Sequence, residues 1–240
     1  DDAFHNSYTV TSISIPDCVV RMGANPFTKC EKLKDIYIAP DHPTLAVMDG
    51  VLFDKRQKLL ITYSCAYEAA EYAVPNGIRG IGDNAFRDAQ LRRVSIPDSV
   101  VAIGDNPFAD CDQLTEIIVS KNQPVLGVID GVLFEKTEMR LVCYPKAFTA
   151  ESYAIPQGTR MIGVRAFYGY GSLKEIHIPD SVVTIGNEAF IYCAYLTDLS
   201  IPESVTSIGK GAFDYCFDLT SLVIPGSVTA MGENHFTRCP

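Results

Sequence analysis

Eight cysteines and one histidine are the residues of this 240-residue chain whose types and spacing could do chemistry. Cys30, Cys111, Cys193, Cys216 and Cys239 each follow a phenylalanine by three positions. A place fixed by a repeat is most simply a small core site, and a free thiol behaves there as a small hydrophobe. Disulfides would need converging side chains, whereas stacked side chains run parallel. Buried thiols are therefore expected. Cys18, Cys65 and Cys143 lie off this series, and the sequence offers no pairing for them. No Cys-x-x-Cys or Cys/His spacing of a zinc site occurs.

His177 lies beside Glu175, with Asp198 one repeat further on, which is raw material for a metal or acid–base site. It lacks a second histidine and a supporting shell. Equivalent positions hold Ser14, Tyr37, Ser95, Ile118, Ser200 and Val223, the mark of an exposed position that tolerates many residues. His5, His42 and His235 do not complete the site. Covalent catalysis needs a nucleophile, a base within hydrogen-bond reach and a group to orient it. No such set can be assembled here. The IGDNAF stretch is neither GxGxxG nor a phosphate loop, and the scattered acids form no glycosidase pair. The sequence thus predicts no catalytic residue, no metal site and no cofactor, and the chain is read as not an enzyme. Catalysis would have to lie in parts of the protein outside this chain.

The elements that carry these residues repeat. IHIPDSVVTIGNEAF, from Ile176 to Phe190, returns as LSIPESVTSIGKGAF from Leu199 and as LVIPGSVTAMGENHF from Leu222. The closing phenylalanines Phe190, Phe213 and Phe236 keep one period (213 − 190 = 236 − 213 = 23). A period of this length marks a solenoid, in which each unit buries its apolar face against its neighbours. Two longer coils interrupt the series. DGVLFDKRQKLLITY, from Asp49 to Tyr63, and DGVLFEKTEMRLVCY, from Asp130 to Tyr144, each read as a hairpin after an Asp-Gly turn. They lie 81 residues apart (130 − 49 = 81), an offset that also maps Phe27 to Phe108 and Pro75 to Pro156. An 81-residue super-repeat thus occurs twice before the regular 23-residue coils, and residues 1–240 read as one solenoid domain. No polar cap is visible at either end, which suggests a segment of a longer protein.

Within a coil, KEIHIP alternates polar and apolar residues, the signal of a half-buried strand with Ile176 and Ile178 inward and Glu175 and His177 outward. Pro179 ends it. A second short extended piece follows in VVTIG, then a recurring glycine that implies either a positive φ or a tight backbone approach. NEAFIYC is too short for an independent helix, so a single helical turn is expected there.

Hydrophobic residues make up 47% and charged residues 20%, which suits a chain with a core. The net charge of −9 argues against nucleic acid, which needs a basic face. No apolar run is long enough for a membrane span, so no direct insertion of this segment is expected.

The units LKEIHIPDSVVTIGNEAFIYC and LTDLSIPESVTSIGKGAFDYC resemble the BspA-like leucine-rich repeats of bacterial surface proteins, with IP–SV–IG–AF–C recurring in register. The DGVLF hairpin coil is also familiar in that group. Ala89 and Tyr170 depart from the cysteine position, and His235 from the alanine before phenylalanine. The resemblance implies an α/β repeat solenoid. It would be a right-handed leucine-rich-repeat superhelix, strand-rich, with short parallel strands on the concave side, single helical turns and two inserted hairpins. It also implies an extracellular or cell-surface recognition or adhesion role, with a protein or glycan partner, host extracellular matrix among the candidates.

On this reading the ligand-binding candidates are the outward strand positions Asp35, Tyr37, Arg93, Glu116, Ile118, Glu175, His177 and Asp198, with Tyr37 and Ile118 as anchors. The hairpin tips, Asp54–Lys58 and Glu135–Arg140, form a second candidate surface. The alternative function is a structural spacer that presents other domains and has no ligand of its own.

Overall fold

The computed structural model describes residues 3–233 and 236–239; His235 lies outside the described residues. The chain forms two compact units, Asp1–Leu126 and Gly127–Pro240. Each is a stack of coils held by parallel strands.

In the second unit the strands Ser152–Ala154, Glu175–His177 and Asp198–Ser200 pair in parallel, with Ile176 opposite Leu199 and His177 opposite Ser200. Partners on Glu175–His177 and Asp198–Ser200 are one period apart, so the repeat itself sets the register. Burial alternates as the pattern requires: Ile176 and Leu199 are buried, His177 and Ser200 exposed. A second row of two-residue strands, Met161–Ile162, Thr184–Ile185, Ser207–Ile208 and Ala230–Met231, forms another parallel ladder. The first unit has the same two rows, with Arg93–Ile96 between Glu71–Ala73 and Glu116–Val119 in one.

The expected helical turn is absent, and no helix occurs among the described residues. The reason lies in where the backbone N–H groups go. Glu188 N donates to Lys210 O (2.8 Å), Phe190 N to Ala212 O (2.9 Å) and Tyr192 N to Asp214 O (2.9 Å), each one coil along. A helix would send those donors back four residues. Glu188 and Tyr192 also adopt left-handed backbone, with φ of 54° and 61°, which no right-handed helix accommodates. The AF segment is therefore a third ladder built from linked turns.

The phenylalanines stack along each unit. Phe167–Phe190 centroids are 5.2 Å apart and Phe190–Phe213 5.6 Å, at interplanar angles of 16° and 5°. In the long coils Tyr63 and Tyr144 take the same place, 5.5 Å from Phe86 and 5.3 Å from Phe167. The sequence signal was available, since each tyrosine precedes its phenylalanine by one period. Cysteine closes the coil by donating its thiol to the phenylalanine carbonyl of the coil before: Cys193 to Phe167 O (3.2 Å), Cys216 to Phe190 O (3.3 Å) and Cys111 to Phe86 O (2.9 Å). Tyr170, in the cysteine position, donates its hydroxyl to Phe148 O and hydrogen-bonds to Tyr144. Its counterpart Ala89 cannot do so, and the buried Tyr63 hydroxyl is left without a partner.

The recurring glycine is a close approach rather than a positive φ. A Cβ on Gly209 would stand 2.5 Å from Gly186 C, and one on Gly104 2.7 Å from Gly82 C. Only a glycine lets adjacent coils touch there.

Each inserted hairpin is a three-stranded meander. Asp49-Gly50 does not merely precede it; the pair forms a two-residue turn between Leu45–Met48 and Val51–Asp54, with φ of 51° and 73°. Leu59–Tyr63 then pairs antiparallel with Val51–Asp54 and parallel with Gly80–Ile81. The meander start is tied down by His42, whose Nδ1 accepts from Thr44 N (3.3 Å) and Leu45 N (3.0 Å) while Nε2 faces Pro16 O (3.3 Å). In the next super-repeat Gln123 does the same, accepting from Val125 N and Leu126 N and donating to Val100 O. His42 is thereby a structural residue, an amide-like bracket in the tautomer that carries its proton on Nε2.

Gly209→Ala should lower stability by about 1–3 kcal/mol through backbone overpacking, whereas Gly226→Ala, with nothing within 4 Å of the added carbon, should leave it nearly unchanged. Denaturant titration of both variants checks this. Tyr63→Phe should raise stability by about 1 kcal/mol because it deletes an unpaired buried hydroxyl, and Tyr144→Phe should lower it by a similar amount through loss of the Tyr170 bond. Opposite shifts in the unfolding midpoints are the expected result.

Candidate functional site

The outward candidates fall on three separate sheets rather than one continuous strip. Asp35 and Tyr37 lie on the two-stranded sheet Ser12–Ile15/Asp35–Ile38, where Tyr37 is 57% exposed opposite Ser14. Arg93, Glu116 and Ile118 share the three-stranded sheet of the first unit. The meander separates the two, because its strands join the other row of the coil. Glu175, His177 and Asp198 lie on the three-stranded sheet of the second unit.

Arg93 is clamped between two glutamates, with Nη1 3.0 Å from Glu71 Oε1 and Nε 2.6 Å from Glu116 Oε2. Glu116 above all, then Glu71, raises the affinity of the guanidinium for its proton. The trio bridges three coils at the solvent-facing surface, so Arg93 and Glu116 serve first as a rung between strands. Glu71 was missed in the sequence reading, together with Ala73, Ser152 and Ala154, the outward positions of two further strands. The signal was EYAVP and SYAIP, each carrying the strand-ending proline. Ile118 stays 39% exposed beside Ser95, and with Tyr37 it supplies the exposed apolar area of these strands in the first unit.

In the second unit Glu175 and Asp198 are register partners, and His177 Nε2 stands 3.3 Å from Glu175 Oε1. His177 is flanked along the ladder by Ala154 and Ser200, neither of which can extend an acid–base relay with a carboxylate. Among the described residues no group of three or more histidine, cysteine or acidic side chains is placed to hold a metal ion. What the surface offers is hydrogen bonding, charge and two apolar anchors.

The hairpin tips are closed on themselves. Asp54 Oδ1 accepts from Arg56 N and Gln57 N, both at 2.8 Å, and Glu135 accepts from Thr137 N (3.1 Å) and Glu138 N (3.3 Å). Tip residues 55–58 and 136–139 are exposed. The first tip presents Lys55, Arg56 and Lys58, and the second replaces two of these cations with Thr137 and Met139.

All eight cysteines are free thiols, and the repeat positions Cys30, Cys111, Cys193 and Cys216 are buried. Burial pushes the Cys216 thiol up to about 12 and holds Cys193 well above the ordinary range. Cys65 is likewise raised to about 12, by burial first and then by Asp88, and Cys143 is raised by burial alone. Cys18 is exposed. None of the buried thiols is set up as a nucleophile, which requires thiolate.

The sequence pattern of the BspA type leucine-rich repeat region matches this chain in six copies, over residues 1–55, 63–155 and 137–240. No curated protein matches it. Among solved structures, the pneumococcal vaccine antigen PcpA is similar with a TM-score of 0.67 and 23% identity, over 96% of this chain and 49% of its own. A leucine-rich repeat protein from Eubacterium ventriosum gives 0.73 and 24%, over 98% and 59%. A leucine-rich cell surface protein from Faecalibacterium prausnitzii gives 0.65 and 25%, over 98% and 72%. The fold is shared, and the chain spans about half to three-fifths of the length of the first two.

With native protein at neutral pH, iodoacetamide should label Cys18 fast, while Cys143, Cys193 and Cys216 should react only after denaturation. Peptide mass mapping of the labelled sites checks the order.

Proposed function

This chain belongs to the BspA-type leucine-rich repeat family, and we propose that it is a non-catalytic recognition module of a bacterial surface or secreted protein. Its partner is a macromolecule, protein or glycan, and host extracellular matrix is one source to test. The observation that carries this reading is the outward register of the parallel strands. It leaves Tyr37 at 57% exposure and Ile118 at 39%, each on a strand whose other outward residues are polar. Apolar anchors ringed by polar groups are the composition of binding surfaces. The name of the Faecalibacterium protein describes a cell surface protein and that of PcpA a vaccine antigen, which supports an extracellular or surface setting for a relative of this fold.

A spacer that only presents other domains is the second reading. The Glu71–Arg93–Glu116 rung favours it, because two of the candidates are engaged in holding neighbouring coils together. The two readings differ in one measurable respect. Purified chain should bind saturably to at least one immobilised matrix protein, mucin or glycan, and Tyr37→Ala or Ile118→Ala should weaken that binding about tenfold, the effect of losing a modest hot spot. Arg93→Ala should change thermal stability more than affinity. Binding retained in both anchor variants would move the site to the hairpin tips, and no binding by folded protein would favour the spacer.

A further inference from the structure

The turn that follows the strand Glu71–Ala73 carries the sequence Pro75-Asn76-Gly77-Ile78. Ile78 N donates to Pro75 O (3.2 Å) and Gly77 has a φ of 94°, the pattern of a turn that needs glycine at its third position. Asn76 and Gly77 are both exposed, and nothing lies within 4 Å of the place a Gly77 side chain would take. The turn's own bond makes no use of the Gly77 N–H. That group donates instead to Ser99 Oγ of the next coil, at 3.0 Å. Asn76 is the only asparagine of the chain that precedes a glycine.

An asparagine before a glycine places an electrophile and a nucleophile on adjacent residues. Once solvent base removes the Gly77 N–H proton, that nitrogen attacks Asn76 Cγ. The N–Cγ bond forms, the Cγ–Nδ2 bond breaks, and Nδ2 leaves as ammonia, taking a proton from water. Water then opens the five-membered imide at either carbonyl, leaving aspartate or isoaspartate. Water is the sole co-reactant, and nothing is oxidised or reduced. With no Cβ on Gly77, little shields the attacking nitrogen. Ser99 opposes the reaction, because its oxygen holds the proton that must leave and the nitrogen that must turn.

The second super-repeat supplies a comparison. Gln157-Gly158 occupies the equivalent turn, with both residues exposed, a Gly158 φ of 90° and Gly158 N 3.0 Å from Ser181 Oγ. Turn and latch are the same, and the reacting side chain is one methylene longer. A six-membered imide would have to form there, and it closes far more slowly.

We propose that Asn76 is a site of spontaneous modification, converted through the imide to aspartate and isoaspartate, with the Ser99 hydroxyl as the latch that sets the rate. Either product adds a carboxylate to the turn. Isoaspartate also inserts a methylene into the main chain, which carries the Gly77 N–H away from Ser99 and removes one tie between neighbouring coils. Loss of ammonia makes the change one-way. The site is independent of what the chain binds and of the strand-face surface.

The test incubates the whole 240-residue chain, folded, at mildly alkaline pH and follows it by peptide mass mapping, with isoaspartyl methyltransferase labelling to separate the two products. Conversion is expected at Asn76 and not at Gln157, and more slowly in the folded chain than in urea. Ser99→Ala should speed it about three- to tenfold, the factor carried by one neutral hydrogen bond. Ser99→Thr, which keeps a hydroxyl, should return it to the original rate. Both variants are run well below their unfolding midpoints, so that global opening does not supply the rate. Ser181→Ala should leave Gln157 unconverted, and Asn76→Gln should abolish the reaction at this turn. The isoaspartyl fraction should unfold at a lower midpoint than the aspartyl fraction. An Asn76 still intact in the folded chain once the denatured chain has converted would overturn the proposal. So would an unchanged rate in Ser99→Ala, a rate in Ser99→Thr as fast as in Ser99→Ala, or equal conversion at Gln157.

Discussion

Every coil of this protein must satisfy its backbone groups on the next coil, and that constraint organises the rest. Buried N–H and C=O groups are costly to leave unpaired. Here they are paired along three ladders: the outward strands, the short second strands and the turns that end in phenylalanine. The turn ladder is the least expected, because its donors leave alternate residues for the neighbouring coil and so rule out a helix. Close approach follows from the same demand. Coils near enough to share hydrogen bonds have no room for a side chain at the ladder glycine, and Gly209 meets the backbone of Gly186 and Asn187 directly.

The side-chain repeats are consequences of that spacing. Stacked phenylalanines fill the interior at centroid separations close to the coil spacing. The cysteine thiol is small enough to lie beneath them and still donates to a carbonyl that the ladders leave free. Oxidation would gain nothing, since the thiols point to carbonyls and not to one another. A polar or larger residue at that place needs a partner of its own. Tyr170 finds one and the loss of its counterpart at Ala89 leaves Tyr63 unpaired.

Irregularity enters with the two long coils, and the chain meets it with side chains that imitate backbone. His42 and Gln123 bracket the meander, Asp54 and Glu135 close its tips, and the side chains of Asn25 and Asp88 hydrogen-bond to the backbone of Asn84 and Lys29. A regular coil presents the same shallow surface to solvent each time. The departures create the features a ligand could tell apart: projecting tips and a break between sheets.

By itself the sequence determined the period, the strands that end in Ile-Pro with their inward and outward faces, and the burial of four of the five repeat cysteines, Cys239 being partly buried. Each of these is a local pattern that recurs in register, and recurrence makes a weak signal strong. Tertiary structure decided what depends on the neighbouring coil. NEAFIYC carries no mark saying that its amides point along the stack. The choice between positive φ and close approach at the glycine is a question about another coil's atoms. Arg93 reads in the sequence only as an outward strand position; the register places Glu71 and Glu116 on either side of it. LAVM before Asp-Gly reads as a strand only once its partner is seen, because the pairing that makes it one lies across the turn.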